Sequence, residues 1–99
     1  MSAISKQALI VELRGQARRA SSAQDWIAAG AAWRQVLDHL PLDFEALFRV
    51  GQATFFQDDL DSAATQINAA LNLNPTHAES LRLYARIAHR RREWGAAEH

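Results

Sequence analysis

At 99 residues the chain holds one small domain and is too short for two. Eleven Lys+Arg against eleven Asp+Glu give a formal net charge of zero, which argues against a wholesale nucleic-acid binder, and 48% hydrophobic residues with only two prolines argue against a disordered tail. Cysteine is absent, which excludes disulfide scaffolds, thiolate zinc sites and cysteine nucleophiles.

Taken in chain order, the predicted elements are helices. A first is expected over 4–21, with Ser2 or Ser5 as a loose cap. A second spans 25–39 and a third 44–57, with Asp25 and Asp43 placed to accept backbone N–H groups at the two starts. The fourth, 60–73, opens on Asp59. The fifth, 77–91, opens on a capping box of Thr76 and Glu79, and a helical stub begins at 94. Apolar residues recur every three to four positions, as in Leu47, Val50 and Thr54 or Ala63, Ile67, Ala70 and Leu71. No alternating Val/Ile/Thr-rich run suggests a sheet. The short connections make neighbouring helices antiparallel hairpins. No apolar run approaches the ~18 residues that span a bilayer. Glu12 and Arg14 come too soon for the N-terminus to be a secretory signal, so a cytoplasmic domain with no membrane segment is expected.

Shifting the chain by 34 residues aligns it with itself. Asp25-Trp26-Ile27-Ala28-Ala29 falls on Asp59-Leu60-Asp61-Ser62-Ala63 and on Glu93-Trp94-Gly95-Ala96-Ala97. Each is an acid, a large apolar residue, two variable positions and an alanine. The same shift aligns Leu13, Leu47 and Leu81; Ala17, Gly51 and Ala85; Trp33 and Ile67; and Pro41 and Pro75.

This pattern resembles the tetratricopeptide repeat family, whose 34-residue helix–turn–helix unit has large, small, aromatic, Ala and Pro positions in this order. Residues 44–77 carry Leu47, Val50, Gly51, Ala63, Ile67, Ala70 and Pro75 at those places, with Thr54 where the family prefers Tyr. Unit 10–43 matches at Leu13, Ala17, Ala29, Trp33 and Pro41 but carries Gln16 and Ala20 at Leu and Tyr positions. Unit 78–99 matches with Leu81, Tyr84, Ala85 and Ala97 and is truncated. The resemblance implies an all-α fold of antiparallel helix hairpins stacked as a right-handed superhelix, with two full repeats and an incomplete third. The expectation is a single domain over 1–99 that forms part of a longer protein. Stacking supplies the core that one hairpin lacks. Ala17, Gly51 and Ala85 let paired helices approach Ala29, Ala63 and Ala97 closely.

Chemistry is hard to find. His39, His77, His89 and His99 form no H-E-x-x-H pair and none lies four residues from another. Gly15, Gly30, Gly51 and Gly95 are isolated, so no phosphate loop exists, and Ser21-Ser22 has no neighbouring base. Asp58, Asp59 and Asp61 open a helix where the dipole favours anions, without the twelve-residue spacing of a calcium loop. The chain is therefore expected to be no enzyme, with no cofactor and no metal.

The resemblance implies that first helices line the concave surface. The expected partner-binding groove is Arg14, Arg18, Phe48, Arg49, Gln52, Phe55, Phe56, Arg82, Arg86 and Arg90. Of ten arginines only Arg34 lies in a second helix, whereas Asp58, Asp59, Asp61, Glu93 and Glu98 lie at turns or in second helices. Net neutrality is thus expected to hide a sorting of charge. Such a groove suits an acidic peptide or protein partner. The two-carboxylate clamp of chaperone-binding relatives wants Lys, Asn, Asn, Lys and Arg; Arg14, Arg18, Arg49, Glu79 and Leu83 stand there instead, against that specificity. Alternatives are a solvated arginine face, nucleic-acid binding through Arg82–Arg92, and self-association through the open third hairpin. Nucleic acid is disfavoured because Tyr84 and Trp94, the nearby aromatics, are expected inside.

Overall fold

The computed structural model describes the backbone of residues 5–97 and the side chains of residues 5–93. Ser2, Glu98 and His99, and the side chains of Trp94 and Ala97, lie outside the described residues. Five helices follow one another: α1 (Lys6–Ser22), α2 (Trp26–His39), α3 (Phe44–Phe56), α4 (Leu60–Leu73) and α5 (Ala78–Ala97). No strand occurs among the described residues. Each helix packs on the next, and α3 also touches α5. The radius of gyration, 14.9 Å, exceeds the ~13 Å of a compact domain of this size. Packing dominated by contacts between successive helices accounts for that elongation.

The helix starts follow from short polar side chains. Ser5, Asp25, Asp43 and Asp59 each accept the backbone N–H three residues on, at Ala8, Ala28, Ala46 and Ser62. Two turns use the left-handed region: Gln24 has φ 57° and Asp58 has φ 63°, each immediately before a capping aspartate. The fifth helix departs from expectation. Its cap is His77, whose Nδ1 accepts the Ser80 N–H at 3.2 Å, while the Thr76 hydroxyl turns to Asn74 Oδ1 at 3.3 Å.

The break expected before Trp94 is also absent, because α5 runs on to Ala97 and the separate stub from 94 does not form. The register explains this. Residues 34 beyond Asp58 and Asp59 are Arg92 and Glu93. A glutamate, unlike the aspartates at 25 and 59, is no preferred N-cap. Nothing stops the helix there.

The core lies in two layers. Leu13 and Ala17 of α1 and Ala29, Trp33 and Val36 of α2 meet Ala46, Val50 and Ala53 of α3. On the other side Leu47, Phe48 and Phe55 of α3 meet Leu60, Ala63, Ile67 and Ala70 of α4 and Leu83 and Ile87 of α5. Helix α3 is thus buried on both sides. Buried polar groups are satisfied: Trp33 Nε1 donates to Ser21 Oγ at 2.9 Å, and the Thr54 hydroxyl donates to Val50 O at 2.8 Å. Gly51 is required by close approach. A Cβ there would overlap Ile67 Cδ1 and sit 2.6 Å from Ile67 Cγ1. The neighbour that demands glycine is Ile67, one turn beyond the expected Ala63.

Candidate functional site

The helices α1, α3 and α5 present one shared side, and two adjoining hollows run along it. The larger, about 570 Å³, is lined by Arg18, Ser21, Ser22, Gln24, Trp26, Glu45, Arg49 and Gln52. The smaller, about 220 Å³, is lined by Phe48, Gln52, Phe56, Glu79, Arg82, Leu83 and Arg86. Gln52 lines both of these neighbouring hollows, together termed the trough.

Seven of the ten expected groove residues come together in this trough: Arg18, Phe48, Arg49, Gln52, Phe56, Arg82 and Arg86. Three lie elsewhere. Phe55 is 1% exposed and forms part of the core, leaving its neighbour Phe56 at the surface. Arg90 lies over the Phe55 ring at 4.9 Å and donates to Asp58 at 3.2 Å. Arg14 is committed to the scaffold. Its guanidinium holds both oxygens of Asp43 at 2.9 Å and reaches Glu45 Oε1 at 2.9 Å.

That cluster is where the charge is most perturbed. Hydrogen bonds from Arg14 hold the Asp43 carboxyl below its usual range, and Arg18, bonding Glu45 at 2.8 and 3.0 Å, does the same to Glu45. The reciprocal hydrogen bond with Asp43 raises Arg14. Asp43 also caps α3, so one carboxylate fixes a helix start and ties it to α1.

These pairs correct the expected sorting of charge. Asp43 and Glu45 open a first helix and meet arginines of another first helix; Arg90 and Arg91 meet Asp58 and Asp61. The sorting fails because ion pairs form between residues 27 to 32 positions apart, across the stack.

Two further cations, Arg49 and Arg86, rest on aromatic faces. Arg49 donates to Gln52 Oε1 at 2.9 Å and lies 5.2 Å from the Phe48 centroid. Arg86 lies 4.9 Å from Phe55 and 5.9 Å from Phe56. Phe56 is stacked on Trp26 with centroids 4.6 Å apart and planes at 15°. Stacking of this kind holds a cation in place while leaving its N–H groups free for a ligand.

Trp26 was not among the expected site residues, since it opens a second helix. Its signal was the large apolar residue following each acid in the repeat, which the tight turn sets beside the end of α3. Glu45 and Glu79 were missed for the same reason as the ion pairs. Among the described residues no three His, Asp or Glu side chains converge as metal ligands, and no helix is long and apolar enough to cross a membrane. Comparison with known proteins finds no family model and no curated protein that matches this chain.

Proposed function

We propose that the chain is a non-catalytic protein-interaction module with a tetratricopeptide-like arrangement of hairpins, and that its trough binds an acidic peptide segment of a partner protein. The observation that carries this reading is that Arg49 and Trp26 line one hollow and Arg82, Arg86, Phe48 and Phe56 the next, with Gln52 common to both. Guanidinium groups give directional bonds to carboxylates, and the exposed Phe56 with the half-buried Trp26 stacked on it supplies apolar area at little entropic cost. The nucleic-acid alternative is less well supported, because Arg90 and Arg91 are paired with Asp58 and Asp61.

Titration of labelled Asp/Glu-rich peptides by fluorescence anisotropy tests the proposal. Binding is expected to weaken as salt rises and to fall about 100-fold in Arg49→Glu/Arg86→Glu, at roughly 1.5 kcal/mol or more per charged hydrogen bond. Unchanged peptide affinity in that variant sinks the proposal. A salt-dependent shift of generic oligonucleotides with no peptide binding transfers the trough to nucleic acid.

A further inference from the structure

Glu45 and Glu79 occupy the same place in the 34-residue register, just after the capping residues Asp43 of α3 and His77 of α5. The chain treats these two carboxylates differently. Glu45 accepts from Arg14 at 2.9 Å and from Nε and Nη2 of Arg18 at 3.0 and 2.8 Å. The positions 34 beyond those arginines hold Phe48 and Gln52, which carry no charge. Gln52 gives its Oε1 to Arg49 at 2.9 Å. Among the described residues Glu79 makes no ion pair. It is exposed, and it lines the smaller hollow beside Gln52, Phe56, Arg82 and Arg86.

An all-acidic segment laid in that hollow meets Arg82 and Arg86 but also this carboxylate. Like charges brought together cost affinity, so Glu79 selects against an acid at its own place and in favour of a cation. The junction of α1 with α3 shows how a cation sits on a glutamate in this register. Arg18 lies side-on, with two N–H groups on the two carboxylate oxygens of Glu45. A lysine ammonium makes no such planar pair. The hollow, about 220 Å³, is several times the ~30 Å³ that a water occupies in the liquid, which leaves room for a guanidinium head group.

We infer that Glu79 is a subsite of opposite sign within the trough and takes an arginine side chain of the bound peptide, whose guanidinium fills the place that Arg18 fills on Glu45. The ligand is then a mixed-charge segment, with acids for Arg82 and Arg86 and one arginine for Glu79. This rests on the peptide-binding reading of the trough and adds a sequence preference to it.

The test compares, by fluorescence anisotropy, a labelled peptide of Asp and Glu residues spaced by serines with a series in which one arginine replaces each serine in turn. At one or two positions arginine is expected to tighten binding about fivefold, the upper range for an exposed pair, and lysine to recover less. Glu79→Gln is expected to erase that preference and to tighten the arginine-free peptide slightly. A second measurement needs no peptide. Gln52→Arg returns a cation to the register of Arg18, and a double-mutant cycle with Glu79→Gln in urea unfolding is expected to show coupling of about fivefold in the folding equilibrium. Binding of the acidic peptides with no arginine preference overturns the subsite and leaves the trough reading standing, whereas no binding of any peptide overturns both. A preference that survives Glu79→Gln overturns the inference, because the cation then sits elsewhere. So does lysine binding as well as arginine, or a cycle without coupling.

Discussion

At the junction between α1 and α3, Arg14 and Arg18 hold Asp43 and Glu45; at the junction between α3 and α5, the residues 34 positions on are Phe48, Gln52, His77 and Glu79. In both, a side chain from one first helix grips the cap of the next. The first grip is ionic and planar, with Arg14 bidentate on Asp43. The second is aromatic: Phe44 and Phe48 stand edge-on to the His77 ring, at 4.8 and 5.2 Å. One backbone geometry therefore accepts two chemistries. The ionic grip fixes orientation and consumes charge, which removes Arg14 from the trough. The aromatic grip buries area and leaves Arg82 and Arg86 uncommitted to that junction.

The comparison breaks most sharply at Phe48, which is 5% exposed. Phe48→Ala is expected to cost about 3–5 kcal/mol in urea unfolding, with little dependence on pH or salt. A cost under about 1 kcal/mol would show that the aromatic grip is incidental. Arg14→Met is expected to cost less, about 1–2 kcal/mol, because Asp43 and Glu45 lose a partner while retaining 18% and 31% exposure to water.

Acid separates the two junctions further. Asp43 and Glu45 are held below their ordinary values of 3.8 and 4.5, so the unfolded chain binds more protons in that range. Their contribution is whole above about pH 5 and is lost as pH falls through the ordinary values toward the lowered ones. The urea midpoint should drop from about pH 5 to pH 3, and drop less in Arg14→Met than in Phe48→Ala. Equal slopes in the two variants contradict the assignment. The smallest effect is that of salt. Raising sodium chloride to about 1 M should remove a few tenths of a kcal/mol from the parent chain and less from Arg14→Met, which keeps the pairs of Arg18, Arg90 and Arg91.

Local chemistry was legible in advance. Asp25, Asp43 and Asp59 cap where short acids precede an apolar period, and the 34-residue recurrence of Leu13 and Leu47 marks positions that are buried. What escaped depends on competition or distance. Thr76 and His77 compete for one cap, and His77, which takes it, also packs edge-on with Phe44 and Phe48, which are remote in sequence. Glu93 sits where Asp25 and Asp59 cap, and the repeat pattern, which scores both as acids, does not weigh that glutamate is a poorer cap. Arg14 resembles any solvated groove cation until Asp43, 29 positions away, is brought to it. Trp26 enters the trough through its stack on Phe56, a contact made only when the second helix has folded back.

Because α3 donates side chains to both core layers, neither layer opens without disturbing the other. Amide protons of α3 around Val50 and Ala53 should therefore exchange last, at rates that report complete unfolding. Helix α5, whose buried side chains among the described residues are Ser80, Leu83 and Ile87, should exchange fastest, with α1 between the two. Opening then spreads toward α3 from the helices packed on it, and α3 is the last to let go.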